Sequence, residues 1–302
     1  MKCIFIYNPV GGKGKISQKL DYIVNELKKK YETVDVCATK QAGDMSHLAR
    51  NAVDKYDAII FAGGDGSFNE VVQGVADLED IPELGYLPTG TTNDIAHTLG
   101  IPFKLKKALK VIKTGRCEKV DCMKVNNQYA MYVVAAGAFT SATYMAPQQQ
   151  KHKFGWFAYG IEGLKHNLKL EVFNVVCEGE EEKHDTECVL IAFINSRYVG
   201  GFKLNKQASL IDGKIEGVIV QQKKTPGFLK RIRALLRVAR LFLFGYKINE
   251  KHLIRFEGKS FDIKAEDEII WNIDGEKGMG GNVHIEIIPR KIPIIIPKNY
   301  KF

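Results

Sequence analysis

The sequence lacks any apolar run that approaches the roughly eighteen residues needed to span a membrane. Membrane contact is therefore expected to be peripheral. The six cysteines lack paired CxxC spacing and His-rich neighbours, which argues against a zinc site and against a disulfide framework. No apolar signal segment precedes Cys3. We expect reduced thiols in a cytoplasmic protein that associates peripherally with a membrane.

Acidic residues are outnumbered, with 35 Asp and Glu against 44 Lys and Arg and a net charge of +9. This balance suits an anionic partner such as a nucleotide or a phospholipid surface. The basic residues are dispersed and no nucleic-acid-reading motif accompanies them, so we expect no nucleic-acid partner. At 302 residues the chain has room for two domains.

An apolar strand, a glycine-rich loop and a helical pattern follow one another over residues 59–72. Gly63, Gly64 and Gly66 allow several backbone N–H groups to converge on a phosphate, and a helix N-terminus favours the same anion. Asp65 would repel phosphates unless a divalent cation lies between them. The stretch therefore indicates a phosphate-binding loop, with a tight Asp-Gly turn of any α/β protein as the alternative.

Two further loops follow predicted strands. Residues 8–14 contain three glycines but fail the Walker A pattern, because no Gly-Lys pair there is followed by Ser or Thr. Residues 89–94 carry small hydroxyl and amide groups, and Thr91, Asn93 and Asp94 could equally cap a helix. In an open parallel sheet all such loops emerge at the carboxyl ends of the strands, so three of them can meet around one ligand.

Strand and helix patterns alternate through the first third of the chain, whereas seven strand-like runs follow residue 129. The predicted fold class is α/β with two domains. An N-terminal Rossmann-like α/β nucleotide-binding domain is expected over residues 1–125. A C-terminal all-β sandwich domain is expected over residues 126–288.

Two stretches interrupt the β pattern. Residues 154–159 are rich in aromatic side chains and are flanked by lysines. Residues 228–247 place basic side chains beside one apolar helical face, which comprises Leu229, Ile232, Leu235, Leu236, Ala239 and Leu243. A basic amphipathic helix can lie in a membrane interface. Packing of this apolar face on the β domain is the alternative, and it is the more common use of such a helix.

The last chemical signal is the segment from Asp274 to Glu276. If the segment is extended, the two carboxylates point the same way and form a pair suited to general-base chemistry. An acidic turn at a strand end is the alternative.

Five motifs, taken in this order, resemble those of the bacterial diacylglycerol kinase-like lipid kinases: Asn8-Pro9 with its glycines, residues 63–70, residues 90–94, Val120-Asp121 and residues 274–276. The resemblance extends over the whole chain. The glycine motif alone is shared with NAD kinases and resembles that of phosphofructokinases, whereas the later motifs point to the lipid kinases.

The resemblance implies ATP and Mg²⁺ as cofactors and a lipid hydroxyl as acceptor, in a cleft between the two domains. It also implies that residues 289–302 return to the first domain. Glu276 matches the family's proton acceptor, with Asp121 nearby and Asp65 beside the phosphates. The implied nucleotide contacts are Asn8, Thr39, Gly63, Gly64, Asp65, Gly66, Ser67, Phe68, Asn69, Thr91, Asn93 and Asp94.

A structural magnesium site is implied at the Asp212-Gly213 turn, with main-chain carbonyls of Ser209 and Lys214 as further ligands. The sequence departs from the family in lacking the additional acidic residues that some members carry there. Ser67 stands where Thr is usual, and Thr92 stands where Gly is usual.

The expected activity is transfer of the γ-phosphoryl group of ATP to a lipid alcohol, most simply diacylglycerol, at an anionic membrane surface. An NAD kinase-like enzyme and a non-catalytic lipid-binding module of the same fold are the alternatives. A non-catalytic module would have lost a motif residue, and Asp65, Asn69, Asn93, Asp121 and Glu276 are all present. The sequence leaves a homodimer open.

Overall fold

The computed structural model describes residues 1–14, 16–138, 171–224, 228–246 and 250–302. These residues form two compact units. The N-terminal unit comprises Met1–Cys122 and Pro289–Phe302, and the C-terminal unit comprises Met123–Ile288. The aromatic stretch at residues 154–159 and its flanking lysines lie outside the described residues.

Four parallel strands form most of the sheet of the N-terminal unit: β1 (Lys2–Tyr7), β2 (Thr33–Ala38), β3 (Ala58–Gly63) and β4 (Glu83–Pro88). Their order is β4-β3-β1-β2. Every residue of β3 is buried, and β1 is buried from Cys3 onwards. Continuous burial is typical of parallel strands that are covered on both faces, and it explains their nearly unbroken apolar sequences.

The helices described in this unit are α1 (Leu20–Leu27), α2 (Asp44–Ala52), α3 (Asp65–Val75), α4 (Asp94–Thr98) and α5 (Leu105–Thr114). Two short 3-10 turns, Gly11–Gly14 and Ser17–Lys19, precede α1. Helix α3 begins at Asp65 rather than at the expected Phe68, so most of the predicted glycine loop forms its first turn. Gly66 and Ser67 carry no apolar side chain, and apolar periodicity therefore cannot mark this turn.

Strand β5 (Arg116–Val125) leads into the C-terminal unit, which is built mainly from antiparallel strands. The remaining strands are β6 (Gln128–Ala130), β7 (Val133–Gly137), β8 (Phe173–Gly179), β9 (Lys183–Ile194), β10 (Tyr198–Val199), β11 (Phe202–Lys203), β12 (Ile215–Gln221), β13 (Leu253–Gly258), β14 (Ser260–Ala265), β15 (Ile270–Ile273), β16 (Glu276–Gly280) and β17 (Val283–Ile296).

Strand β9 is shared between two sets of strands. Its first half pairs with β8, and its second half lies between β7 and β12. One set continues from β8 to β14 and β17, and the other continues from β7 to β15 and β16. Aromatic side chains fill the core of the unit, namely Phe173, Phe193, Phe256, Phe261 and Trp271. The expected single strand at residues 253–263 is two strands, β13 and β14, which separate at Lys259.

Strand β17 is longer than the six residues expected at 283–288. Its first residues pair with β14 in the C-terminal unit. Its last residues belong to the N-terminal unit, where Ile294 lies opposite Leu84 of β4 in parallel register.

Helix α6 (Phe228–Phe244) packs on β11 and β12 of the C-terminal unit. Among the helix side chains that the structure describes, Ala234, Val238, Leu241 and Phe242 are buried. The predicted inward face is therefore wrong, because Leu236 and Leu243 are 56% and 59% exposed. Apolar residues occur almost all round this helix, so periodicity alone could not select the face that packs inward.

Among the described helices, none is long and apolar enough to cross a bilayer. All six cysteines are free, and Cys3, Cys122, Cys177 and Cys188 are buried.

Candidate functional site

The three predicted loops of the N-terminal unit begin at aligned strand ends. Tyr7 lies opposite both Ala38 and Ala62, and Gly63 lies opposite Pro88. The backbone continues this alignment beyond the strands, since the Thr39 N–H donates to the Tyr7 carbonyl at 2.9 Å. The loops therefore emerge together at the carboxyl edge of the sheet, where open α/β sheets bind ligands.

The second and third loops touch backbone to backbone. A Cβ atom on Gly90 would lie 2.6 Å from the Cα of Gly64, and one on Gly64 would lie 3.2 Å from the Cα of Gly90. A hydrogen bond of 2.8 Å from the Thr89 N–H to the Gly63 carbonyl holds the two loops in this register. Neither glycine can gain a side chain without moving the other loop.

Asn93 organises the third loop from within. It is 3% exposed and has a positive φ of 50°. Its amide oxygen accepts from the Gly90 N–H at 3.0 Å, and its amide nitrogen donates to the Gly90 carbonyl at 2.8 Å. The Tyr86 hydroxyl donates to the same amide oxygen at 3.1 Å. These bonds shape the loop, and a role for Asn93 as a nucleotide contact stays a prediction.

Asp65 connects the second loop to the start of α4. Its carboxylate accepts from the Thr92 hydroxyl at 2.9 Å and, more weakly, from the Ile95 N–H at 3.4 Å. Burial raises the pKa of Asp65, while the hydrogen bonds from Thr92 and from the backbone of residues 93–95 act in the opposite direction. The hydroxyl of Thr92 therefore links the third loop directly to the Asp65 carboxylate.

The predicted nucleotide contacts on α3 differ in their exposure to solvent. The Phe68 ring is 1% exposed and lies 5.4 Å from the Phe61 ring and 5.1 Å from the Tyr86 ring. Its N–H donates to the Gly64 carbonyl. Phe68 thus supports the site by packing, whereas Gly66 and Ser67 are partly exposed in the first helical turn.

A pocket of about 330 Å³ opens beside the third loop. Gly90, the exposed Thr91 and Asn93 line one side of it. The other lining residues are Ile16, Lys19, Leu87, Pro88, Thr89, Phe103, Leu105 and Ala108. The sequence analysis did not identify Lys19 and Phe103, because neither residue belongs to one of the three predicted loops.

Near the first loop, the Asn8 side chain accepts from the Val10 N–H at 3.0 Å and fixes a tight turn. Asp121 lies on β5 and is fully buried. Its carboxylate accepts from the N–H of Arg290, a residue with a positive φ of 53°, at 2.8 Å. Asp121 thereby fixes the bend in β17, and its predicted place in the reaction stays a prediction.

The proposed carboxylate pair at residues 274–276 is wrong. Asp274 and Gly275 have positive φ values of 50° and 88° and form the two-residue turn between β15 and β16. Asp274 is 2% exposed, and its carboxylate accepts from the N–H groups of Met131, Tyr132 and Val133 at 2.6 to 3.0 Å. Asp274 therefore has a structural role. Glu276 is exposed at the start of β16, and its role as the proton acceptor stays a prediction.

An apolar cavity of about 80 Å³ lies in the C-terminal unit next to this turn. Its lining includes Tyr132, Asn272 and Gly275, together with Leu241 and Phe242 of α6. The remaining wall is mostly aliphatic, with Val133, Ala135, Leu190, Ala192, Val199, Leu204 and Val218. A cavity of this composition accepts a hydrocarbon group.

Comparisons with known proteins agree along the whole chain. Residues 2–125 match the model of the diacylglycerol kinase catalytic domain, and residues 132–296 match that of the YegS C-terminal NAD kinase beta sandwich-like domain. The diacylglycerol kinase of Bacillus subtilis (strain 168) is 33% identical over 298 residues, which cover 97% of this chain and 95% of that protein. The chain belongs to the diacylglycerol kinase family.

Further relatives strengthen this assignment. A diacylglycerol kinase of Staphylococcus epidermidis is 32% identical over 297 residues, covering 97% of this chain and 92% of its own. A solved diacylglycerol kinase structure from Bacillus anthracis (strain Sterne) has a TM-score of 0.77 at 25% identity, covering 98% of this chain and 96% of that one. The predicted family and fold class are confirmed, with an α/β domain followed by a β-sandwich. This member of the diacylglycerol kinase family is an ATP-dependent lipid kinase.

The metal site implied for this lipid kinase lies in the C-terminal unit. Asp212 is exposed, and its carboxylate accepts from the Lys214 N–H at 3.2 Å. The Lys214 ammonium forms an ion pair with the Glu257 carboxylate, 2.6 Å away. Across the described part of the chain, no three His, Cys, Asp or Glu side chains gather as a metal-binding group. One carboxylate with main-chain oxygens and water is nevertheless a donor set that suits Mg²⁺, so the residues fit the ion.

Proposed function

We propose that the acceptor is diacylglycerol and that the product is phosphatidic acid. The observation that carries this proposal is the apolar cavity beside Gly275, because the next residue is Glu276. A lipid whose hydrocarbon part enters the cavity has its polar end close to this turn. The names of the relatives from Bacillus subtilis and Staphylococcus epidermidis support the same acceptor.

ATP is proposed to bind at the carboxyl edge of the N-terminal sheet. Asn8, Thr39, Ser67 and Thr91 supply polar groups there, and the first turn of α3 favours phosphate. The pocket beside Thr91 has apolar walls as well as backbone polar groups, which suits a nucleoside. Asp65 keeps the second and third loops together during binding.

In the proposed reaction Glu276 takes the proton of the acceptor hydroxyl. The hydroxyl oxygen forms the new bond to the γ-phosphorus, the bond to the β,γ-bridging oxygen breaks, and ADP leaves with the bonding electrons. The proton remains on Glu276 until solvent removes it. Asp274 holds the turn that presents Glu276.

Mg²⁺ is proposed to act in two places. Bound with ATP, it supplies charge neutralisation for phosphoryl transfer. At the second place the Asp212 carboxylate and the carbonyls of Ser209 and Lys214 would hold it as a structural ion. Asp212→Asn should abolish the rise in thermal midpoint that Mg²⁺ produces without nucleotide. An unchanged rise would place the ion elsewhere.

The acceptor is proposed to come from an anionic membrane surface, in keeping with the net charge of +9. The deciding experiment incubates labelled ATP with mixed micelles that contain diacylglycerol, a sphingoid base or phosphatidylglycerol, with NAD in a separate reaction. Label in phosphatidic acid that is lost in Glu276→Gln is the expected result. Label in NADP alone would establish the NAD kinase alternative, and nucleotide binding without transfer to any acceptor would establish the non-catalytic one.

A further inference from the structure

Helix α6 has an outer face with exposed apolar side chains in the part of the chain that the structure describes. Leu236, Leu243 and Phe244 are 56%, 59% and 68% exposed. Among the described residues of the C-terminal unit, they are the only large apolar side chains with such exposure. Three exposed apolar groups on one helix form a patch of the kind that marks an interaction surface, whereas single exposed apolar residues carry no such meaning.

The same face is cationic. Arg233, Leu236, Arg240 and Leu243 follow one another at spacings of three, four and three residues, so they lie along one strip of the helix. The helix contains five basic residues and no acidic one. Arg240 is 3.2 Å from Glu250, which offsets part of its charge.

A basic cleft of about 510 Å³ opens along the flank of this strip. Arg233 and Arg237 line it together with Lys223 and His252, and Glu187 is its acidic member. The Glu187 carboxylate accepts from the Lys224 N–H at 2.9 Å. The leucines of this strip therefore have cationic side chains beside them on the side where the cleft opens. This arrangement complements the anionic head groups and the hydrocarbon of a bilayer.

The inner face of α6 has a different role. Leu241 and Phe242 line the apolar cavity beside Gly275, and the Phe242 ring packs 6.0 Å from the Phe202 ring. One helix thus has one face on the proposed lipid cavity and its opposite face in solvent. This arrangement favours a lipid surface over a second copy of the chain as the occupant, because a lipid acceptor has to leave a bilayer before it enters the cavity.

We propose that the outer face of α6, formed by Arg233, Leu236, Arg240, Leu243 and Phe244, docks onto the surface of an anionic bilayer. The proposal rests on the proposed lipid acceptor for its biological purpose. Its test needs neither ATP nor acceptor.

The test measures partition of the full chain between buffer and sedimented vesicles, made either of phosphatidylcholine alone or of phosphatidylcholine mixed with phosphatidylglycerol. Wild-type protein should bind the mixed vesicles, less strongly as salt is added. The double variant Leu236→Gln/Leu243→Gln should lower the partition coefficient by about tenfold or more, and Arg233→Gln by about fivefold. Tyr22→Gln, which alters a 41% exposed residue of α1, is the matched control and should bind like wild type.

Activity on a short-chain diacylglycerol dispersed below its aggregation limit separates this proposal from the proposed function. The double variant should keep wild-type turnover on the dispersed diacylglycerol. It should lose turnover on diacylglycerol that is embedded in the mixed vesicles. Wild-type binding to mixed vesicles without phosphorylation of either lipid form would refute the acceptor and leave the docking face standing. Equal vesicle binding by wild type and the double variant would overturn the docking face. A dimer that the double variant dissociates, without vesicle binding by wild type, would also overturn it.

Discussion

Gly64 and Gly90 lie so close that a Cβ atom added to Gly90 would come within 2.6 Å of the Gly64 Cα. The same added atom would lie 2.7 Å from the amide oxygen of Asn93, which holds the third loop together. The second and third loops are therefore one interlocked unit. A change in either glycine should alter both.

Gly90→Ala should displace the third loop and weaken ATP binding by at least about tenfold, with a loss of about 1–3 kcal/mol in the free energy of unfolding. Isothermal titration with an ATP analogue and thermal unfolding measure the two effects. Thr91→Ala is the control for the unfolding measurement alone, because the Thr91 side chain is exposed and its removal creates no clash. Wild-type affinity and stability in Gly90→Ala would show that the loops are not interlocked.

Substitution of Glu276 should lower activity without lowering stability, whereas substitution of Asp274 should lower stability. Glu276→Gln should lower kcat by about a hundredfold to ten-thousandfold with an unchanged thermal midpoint, because a general base is lost from an exposed site. Asp274→Asn should cost about 1–3 kcal/mol of stability, since its amide NH₂ would face backbone donors. Asparagine tolerates the positive φ of the turn, so backbone strain does not contribute.

Kinetics on micellar lipid and chemical denaturation separate the two variants. Nearly full turnover in Glu276→Gln would remove its assignment as the base. Loss of activity in Glu276→Gln through unfolding alone would do the same.

Substitutions at Asp65 and Thr92 should distinguish an effect on loop stability from an effect on Mg-ATP binding. Asp65→Asn should raise the KM for Mg-ATP by about tenfold or more, because it removes a charge beside the proposed phosphate site. Thr92→Val removes only the hydroxyl that donates to Asp65 at 2.9 Å. It should lower the thermal midpoint and leave the KM for Mg-ATP within about threefold of wild type. Equal effects of both variants on KM would show that Asp65 acts only as a structural link.

Glu26 on α1 should make the free energy of unfolding depend on pH in the acidic range. Hydrogen bonds from Lys113 and then Lys29, with their charges, lower the pKa of Glu26 from 4.5 to about 2. A carboxyl group whose pKa is lowered on folding stabilises the protein above its unfolded pKa, and this stabilisation is lost as pH falls through the folded pKa. Glu26→Gln should therefore unfold at a lower temperature than wild type near neutral pH. The difference should shrink as pH falls from about 4.5 to about 2.

Glu79→Gln, which makes the same chemical change at an exposed site, is the control for this measurement. A difference between wild type and Glu26→Gln that stays constant with pH would contradict the ionic origin of the effect.

The sequence predicts β1, β3 and β4 well because their apolar runs are short and continuous and reach a glycine or proline at or just beyond their carboxyl ends. The expected strand at Glu83–Pro88 matches the structure at both ends, and so does Ile215–Gln221 in the C-terminal unit. The start of α3 and the length of β17 could not be read in the same way. A first helical turn of Asp, Gly and Ser has no apolar period, and a strand that contains Pro289 and Pro293 resembles two segments.

The site residues show where local patterns stop being informative. The sequence left open whether Asp274 forms a catalytic carboxylate pair or an acidic turn. The structure favours the turn, because the Asp274 carboxylate accepts from the N–H groups of residues 131–133, more than a hundred residues away in the chain. The outer face of α6 could not be chosen either, because tertiary packing selects Ala234 and Val238 over the larger Leu236. The roles of Glu276, Thr91 and the magnesium ligands remain predictions that the experiments above test.

The placement of β17 determines the order in which the protein can be completed during synthesis. Residues 289–296, which lie beside β4, leave the ribosome only after the whole β-sandwich has been made. Until then β4 presents an unpaired edge, although most N-terminal domains finish folding before later ones appear. The N-terminal unit is therefore begun before the C-terminal unit and completed after it.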